Sequence, residues 1–168
     1  MKILNVDKSR VIGTTMLALA LGFANQVNAA DVSFTLPSGL ACDFDLTVNI
    51  DFSDNRVNKE FTDKDGQVVR ILSAGKGDDL EFINDETGAT YSIAGNGSVT
   101  HTTINHDGST TNSATGHNVI ILFPTDEPPG PTTTQYIGRV VYTVDTNEVF
   151  TLQKVSGRSI DICAALSE

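Results

Sequence analysis

Apolar and polar residues alternate without interruption from Cys42 to Phe52. The even-numbered positions are apolar, and the odd-numbered positions hold aspartate, threonine or asparagine. A repeat of two residues is that of a β-strand with one buried and one solvated face, whereas a helix would scatter these side chains around its circumference. The pattern therefore predicts a long, half-buried strand at the beginning of the mature chain. The residues predicted to face inward are Phe44, Leu46, Val48, Ile50 and Phe52.

Short apolar runs separated by turn-forming residues continue to the end of the chain. Turn sequences such as Asp63–Gly66 and Gly95–Gly97 recur at spacings of about 8 to 12 residues, which predicts an all-β domain of about ten strands. Because nearly every link is of hairpin length, we expect an antiparallel meander. We expect this meander to close into an up-and-down β-barrel, and a two-sheet β-sandwich is the alternative. Gly138 interrupts one well-patterned strand, which indicates a bulge or a close approach of two backbones.

Residues 1–29 have the layout of a secretory signal peptide. Three basic residues precede an apolar run from Met16 to Ala24, and small residues stand just before Ala30. The run is far shorter than the roughly 20 apolar residues of a transmembrane helix. We therefore predict cleavage before Ala30, a single all-β domain over residues 30–168, and a secreted protein, either extracellular or periplasmic.

The mature chain is strongly acidic. Removal of residues 1–29 changes the formal charge from −10 to −12 and leaves eight basic and twenty acidic side chains. A chain with this charge is repelled by phosphate backbones and by anionic lipid surfaces. The composition thus argues against nucleic-acid partners and membrane insertion. The partner classes that remain are a small molecule, a glycan or a protein.

Two cysteines, Cys42 and Cys163, stand near the two ends of the mature chain. In an oxidising compartment such a pair predicts a disulfide bond. The bond would tie the first strand to the last segment, and this favours the barrel over the sandwich. Closing a loop of about 120 residues is worth roughly 5 kcal/mol in the chain-entropy model.

Three histidines, His101, His106 and His117, fall within seventeen residues. In a hairpin that begins at Ser98, the alternation of side chains would place His101 and His117 on opposite faces and His106 in or beside the turn. The spacing therefore argues against a metal site. Two aspartate-containing turns lack the remaining ligands of a calcium loop, and no phosphate-binding loop is present, so we expect no metal and no cofactor.

The hairpin from Ser98 to His117 carries no apolar row on either face. Its threonine, serine, asparagine and histidine side chains cannot form a dry core. We expect it to project into solvent; the alternatives are a wet sheet edge and the lining of a polar cavity.

The link Pro124–Thr134 holds four of the five prolines. Proline cannot donate to a strand ladder and stiffens the backbone, so the link should form an ordered loop. The loop follows the strand that His117 is expected to begin, and it leads into Tyr136 and Arg139. Arg139 has apolar neighbours, where a guanidinium needs a carboxylate partner or an anionic ligand. An ion pair with an aspartate is the simpler interpretation; the functional hypothesis is a ligand-binding site formed by His117, Tyr136, Arg139, Pro128 and Pro129.

Motifs for catalysis are incomplete in this chain. The spacing from Ser73 to Lys76 is that of a known nucleophile motif, but its companion motifs are missing, and there is no Gly-x-Ser-x-Gly. This favours a non-catalytic secreted binding or surface module. The alternative is an enzyme whose acid–base groups are dispersed in sequence, and burial of two or more of them in one pocket would support it. The candidate groups are His101, His117, Tyr136 and Arg139.

Five short segments distributed over the mature chain point to a group of proteins. They are Gly39–Cys42, Thr115–Asn118, Phe123–Asp126, Gly138–Val141 and Asp161–Leu166. Together they resemble segments of small secreted bacterial proteins of uncharacterised function. The resemblance covers most of the mature chain; it implies secretion and paired cysteines, and it implies no activity.

Overall fold

The computed structural model describes residues 30–168, and the predicted signal peptide lies outside the described residues. Residues 30–168 form ten strands and one short helix. None of their helical structure is long and apolar enough to cross a lipid bilayer. The elements are β1 (Val32–Leu36), β2 (Leu46–Asp51), β3 (Arg56–Thr62), β4 (Val68–Lys76), β5 (Asp79–Asn84), β6 (Thr90–Ile93), β7 (Gly97–Ile104), β8 (Thr110–Leu122), β9 (Thr132–Val144), β10 (Phe150–Asp161) and α1 (Ile162–Ala165).

The strands form two antiparallel sheets, which confirms the all-β prediction. One sheet has the order β1-β2-β5-β6 and the other has the order β10-β9-β8-β7-β4-β3. Neither sheet closes on itself, so the predicted barrel is wrong, and the structure is sandwich-like. The chain is a meander only in part, because the β3–β4 hairpin is inserted between the paired strands β2 and β5, and the β5–β6 hairpin between β4 and β7. Short links in this chain connect strands of different sheets as well as neighbouring strands of one sheet.

The alternating segment forms a shorter strand than its pattern predicts, and it is second in order. β2 ends at Asp51, and β1, which was not predicted, pairs with β2 from end to end. Phe52 is wrongly predicted to face inward: it lies beyond the end of β2 and is 57% exposed. The predicted inward-facing residues that are buried or packed against the core are Phe44, Leu46, Val48 and Ile50.

A row of glycines crosses the six-stranded sheet and bends it. Gly116 of β8, Gly138 of β9 and Gly157 of β10 are paired in register, with φ angles of 97°, 142° and 105°. A side chain on Gly116 would overlap the carbonyl oxygen of Gly97 in β7, and one on either other glycine would overlap the backbone of the adjacent strand. Glycine alone permits both this conformation and this close approach. We call Gly116, Gly138 and Gly157 the glycine crease.

The contacts of Asp126 show how sharply the sheet bends. Its carboxylate accepts hydrogen bonds from the backbone N–H of Phe123, just past β8 (2.6 Å), and from that of Phe150, at the beginning of β10 (2.9 Å). In the register, Phe150 pairs with Val144 at one end of β9, while the end of β8 pairs with Thr132 at the other. A straight strand would separate these levels by about 40 Å. The sheet is therefore folded back at the glycine crease.

Two hydrophobic cores result from this arrangement. The first lies between the two sheets, where β2, β5 and α1 pack against β8. The second lies inside the bend of the six-stranded sheet, where residues from before and after the crease meet. Buried members of the first core include Phe44, Leu46, Val48, Phe82 and Ile162; those of the second are Ala114, Ile120, Leu122, Tyr136 and Val140.

The predicted disulfide bond between Cys42 and Cys163 is present, with 5.6 Å between the Cα atoms. It joins the loop before β2 to α1, whose first turn is capped by Asp161: the carboxylate accepts a hydrogen bond from the backbone N–H of Ala164 (3.0 Å). The bond thus links two segments of the first core that are far apart in sequence, the loop before β2 and the helix α1. It does not close a barrel. It is consistent with an extracellular or otherwise oxidising location.

Removal of the Asp126 carboxylate should destabilise the bend. Asp126 is 5% exposed, and its two oxygens satisfy two backbone N–H groups. We expect Asp126→Ala to lower the free energy of unfolding by about 1–3 kcal/mol, because a fully buried donor left without an acceptor costs about that much and the two donors here are partly buried. Urea unfolding followed by circular dichroism measures the loss. The exposed neighbour Thr125 provides the control, since Thr125→Ala should change stability by less than about 0.5 kcal/mol; equal losses in the two variants would contradict this role of Asp126.

Candidate functional site

A polar cavity of about 200 Å³ lies beside the glycine crease, where the two sheets meet. The pairing of β7 with β8 ends at Ser98 opposite Gly116, so within residues 30–168 the second half of β8, His117–Leu122, pairs with β9 alone. The cavity lies against this half of β8. Leu80 and Ile93 of the four-stranded sheet form part of the opposite wall.

Arg56, at the beginning of β3, brings a positive charge to the cavity wall. Its Nε donates a hydrogen bond to Ser73 Oγ (2.8 Å), and its Nη1 donates one to Ser98 Oγ (3.1 Å). Both acceptors are neutral hydroxyls. Within residues 30–168 the single ion pair joins Lys76 and Asp79, so the guanidinium has no carboxylate within 4.0 Å. A guanidinium has five N–H donors, and most of them are not used by the protein here.

Asn118 lines the same cavity and has a buried amide nitrogen without a partner. Among the side chains of residues 30–168, its Nδ2 is the buried polar atom that makes no hydrogen bond. Folded proteins rarely leave such a donor unpaired, because its desolvation costs about 1–3 kcal/mol. Nδ2 itself has almost no accessible surface, so an acceptor in the cavity would reach it only after a movement of the Asn118 side chain.

His117 is oriented at the cavity wall by a chain of hydrogen bonds. The Tyr91 hydroxyl donates to Gln135 Oε1 (3.2 Å), and Gln135 Nε2 lies 3.4 Å from His117 Nδ1. With Gln135 donating, Nδ1 is the acceptor and the neutral ring carries its proton on Nε2. Gln135 is 5% exposed, so the chain of hydrogen bonds is internal. In this arrangement His117 offers the cavity a hydrogen-bond donor and no free basic nitrogen.

The rest of the wall combines apolar side chains with one carboxylate. Asp78 lines the cavity, and its Oδ1 accepts a hydrogen bond from the backbone N–H of Ser53 (2.9 Å). Burial raises the pKa of the Tyr142 hydroxyl above its ordinary value, which already lies well above physiological pH. Arg56 and Asp78 are the arginine and the aspartate of this wall. Apolar surface comes from Leu80, Ile93, Val119 and Ile120.

The five residues predicted to bind a ligand lie at separate places in the fold. His117 lines the cavity, but it lies in the middle of β8 and not at the strand entrance as predicted, because β8 begins at Thr110. Tyr136 is 8% exposed and packs in the second core. Arg139 is exposed, and its Nε donates a hydrogen bond to Ser113 Oγ (3.1 Å). The expected ion pair of Arg139 with an aspartate is not formed within residues 30–168.

Pro128 and Pro129 lie in the loop between β8 and β9, and both are exposed. This loop joins the two ends of the folded sheet: Glu127 forms a bridge with Thr151 of β10. Arg139 directly follows Gly138 of the glycine crease, whereas the loop lies against the beginning of β10. The structure therefore does not bring Arg139 and the proline-rich loop together in one site.

The other polar residues of the Ser98–His117 segment are also dispersed. His101 on β7 and His106 in the turn are exposed, and residues 30–168 contain no group of three or more histidine, cysteine or acidic side chains placed to hold a metal ion. The expectation that this hairpin projects into solvent is wrong, because β7 and β8 lie inside the six-stranded sheet between β4 and β9. Ser98 and Thr100 line the cavity, as the alternative interpretation requires.

A larger depression of about 740 Å³ on the four-stranded sheet is less suited to binding. Two of its three carboxylates, those of Asp79 and Glu81, are already engaged. A hydrogen bond from the backbone N–H of Gly95 holds the pKa of Asp79 below its ordinary value, and Lys76 pairs with the same carboxylate at 3.4 Å. Glu81 accepts a hydrogen bond from Asn49 Nδ2 (2.9 Å).

The fold and the cavity together define a sandwich-like all-β domain with a polar pocket where its two sheets meet. Comparisons of the chain with protein-family models, with curated proteins and with solved structures give no match. The proposals below rest on the chemistry of the pocket.

Proposed function

We propose that the protein is a secreted, non-catalytic binding module that holds a small molecule in the cavity beside the glycine crease. The observation that carries this proposal is that two residues with unused hydrogen-bond donors, Arg56 and Asn118, line one cavity. Within residues 30–168 the first has no carboxylate partner and the second has no hydrogen-bond partner. A volume of about 200 Å³ suits a single small molecule and not a glycan chain or a protein segment. Secretion is supported by the signal-peptide pattern and by the disulfide bond.

The positions of the candidate groups give the enzyme alternative less support than the binding module. Of its four candidate groups, His117 lines the cavity, whereas His101 and Arg139 are exposed and Tyr136 packs in the second core. The Nδ1 atom of His117 is occupied by Gln135, so the ring is placed for hydrogen bonding and not for proton abstraction. These positions support recognition of a ligand without chemistry.

A bulky side chain at the cavity mouth should prevent binding without unfolding the domain. Ala94 follows β6, lines the cavity and is exposed, so a phenyl ring there can enter the opening while both cores stay intact. We expect small polar compounds, screened by protein-observed NMR, to shift the amide resonances of Ser98, His117 and Gln135. The affinity of such compounds should fall at least tenfold in Ala94→Phe.

Thr90→Phe is the matched control, because Thr90 is exposed at the beginning of β6, the strand that Ala94 follows, and lies outside the cavity lining. It should bind the compounds as the wild type does. Bound compounds should also be recovered unchanged after prolonged incubation with the protein. Binding that is unaffected by Ala94→Phe would disprove the cavity site, and conversion of a compound would disprove the non-catalytic role.

A further inference from the structure

We propose that the ligand of this cavity is a small monocarboxylate with an apolar body. This inference rests on the proposed function, since it specifies what the same cavity binds. Arg56 and Asn118 would bind the carboxylate, and the apolar side chains of β5, β6 and β8 would contact the body of the ligand.

The charge distribution of the chain singles out Arg56. Of the eight basic residues in residues 30–168, seven are exposed, and Arg56 alone is partly buried. Twenty acidic side chains are present in the same part of the chain, yet none lies within 4.0 Å of this guanidinium. A partly buried cation is stabilised by an anion that forms charge-assisted hydrogen bonds with it. Because no carboxylate of residues 30–168 is in direct contact with this guanidinium, an anionic ligand would find its remaining donors free.

The hydrogen bonds of Arg56 leave its terminal nitrogens available. Ser73 holds Nε and Ser98 holds Nη1, so the guanidinium plane is fixed by two strands while Nη2 and the second proton of Nη1 are unused by the protein. A planar carboxylate matches this pair of donors. Ser98 pairs with Gly116, and Asn118 lies two residues further along β8, about 7 Å away along the strand. A movement of the Asn118 side chain that exposes its unpaired amide would therefore let it bind the same small anion.

The remaining wall favours an anion with one charge over a dianion. Asp78 lines the cavity and would repel a dianion such as a phosphate monoester more than a carboxylate. Leu80, Ile93 and Val119 line the same space, and burial of apolar ligand surface against them is favourable. A carboxylate joined to a short aliphatic or aromatic group combines both properties.

Three probes that share a phenyl ring and differ in the polar group test the inference: benzoate, benzamide and phenylphosphonate. We expect benzoate to bind in the cavity, with NMR shifts centred on Arg56 and Asn118, and the other two compounds to bind at least tenfold more weakly. Arg56→Gln should weaken benzoate binding at least tenfold while changing benzamide binding less than twofold. Asn118→Ala should weaken benzoate binding about three- to tenfold. Arg56→Lys is the second variant if Arg56→Gln does not fold, because it keeps the charge and loses the planar donor pair. It should weaken benzoate binding three- to tenfold.

Arg139→Gln is the control, because Arg139 is an exposed arginine of the same sheet and lies outside the cavity lining. It should leave benzoate affinity within twofold of the wild type. Equal affinities for benzoate and benzamide, with binding still sensitive to Ala94→Phe, would overturn the carboxylate inference and leave the binding module intact. An equal loss in Arg56→Gln and Arg139→Gln would also overturn it, since attraction by net charge would then explain the result. If no compound of the broader screen or of this set shifts the cavity resonances, both proposals fall.

Discussion

Replacement of Gly116 by alanine is expected to lower the free energy of unfolding by more than about 3 kcal/mol. Two costs add at this position. A residue with a side chain strains the backbone at a φ of 97°, and the new methyl group overlaps the carbonyl oxygen of Gly97 in the paired strand β7. The second cost cannot be relieved by a side-chain movement, because the obstructing atoms belong to the backbone. β7 or β8 must move, and that movement would open the cavity wall at Ser98.

Gly66→Ala separates the two costs. Gly66 has a similar φ of 82°, but it lies in a turn with no atom within 4 Å of the added methyl group. It should lose only the conformational part, about 1–2 kcal/mol. Denaturant unfolding of both variants under identical conditions provides the comparison. Equal losses would contradict the second cost, since the overlap of the methyl group with β7 would then contribute nothing to the loss of stability.

Reduction of the disulfide bond is expected to lower the free energy of unfolding by about 5 kcal/mol, because Cys42 and Cys163 are 121 residues apart and the bond restricts the unfolded chain. Against the about 5–15 kcal/mol that stabilises a typical domain, this loss would leave much of the reduced protein unfolded at moderate denaturant concentration. Urea unfolding with and without a reductant measures the difference. In the denatured, unreduced protein, a thiol reagent should detect no free sulfhydryl at Cys42 or Cys163. Identical unfolding midpoints for the two forms would contradict the prediction.

Local patterns in the sequence were sufficient to predict the class of fold and the disulfide bond. The alternation around Leu46 and Val48 reports directly on which side of a strand is buried, and the structure confirms it. The choice between one closed sheet and two open sheets depends on which hairpins pair with each other, as β2 does with β5 across an intervening hairpin. Link length carries no information about that choice. β1 escaped prediction because it lies at a sheet edge, where Val32 and Phe34 are 39% and 40% exposed.

The candidate site was harder to predict because its residues meet only through long-range pairing. Arg139 drew attention through its apolar sequence neighbours, but adjacent residues of a strand face opposite sides, and Val140 is buried while Arg139 is exposed. Arg56 follows polar residues that indicate a solvated turn. Its partly buried environment is provided by Ser73 and Ser98, which lie on β4 and β7. No spacing in the sequence encodes that contact.

The glycine crease also affects how molecules of this protein meet one another. β10 is twelve residues long and forms one edge of the six-stranded sheet, and such an edge can recruit a strand from another molecule and start aggregation. The bend at Gly157 and the register shift between Leu152 and Lys154 divide this edge into short stretches that point in different directions. A straight incoming strand can pair with only one stretch at a time, so the bend that builds the second core also keeps this edge from templating intermolecular sheets.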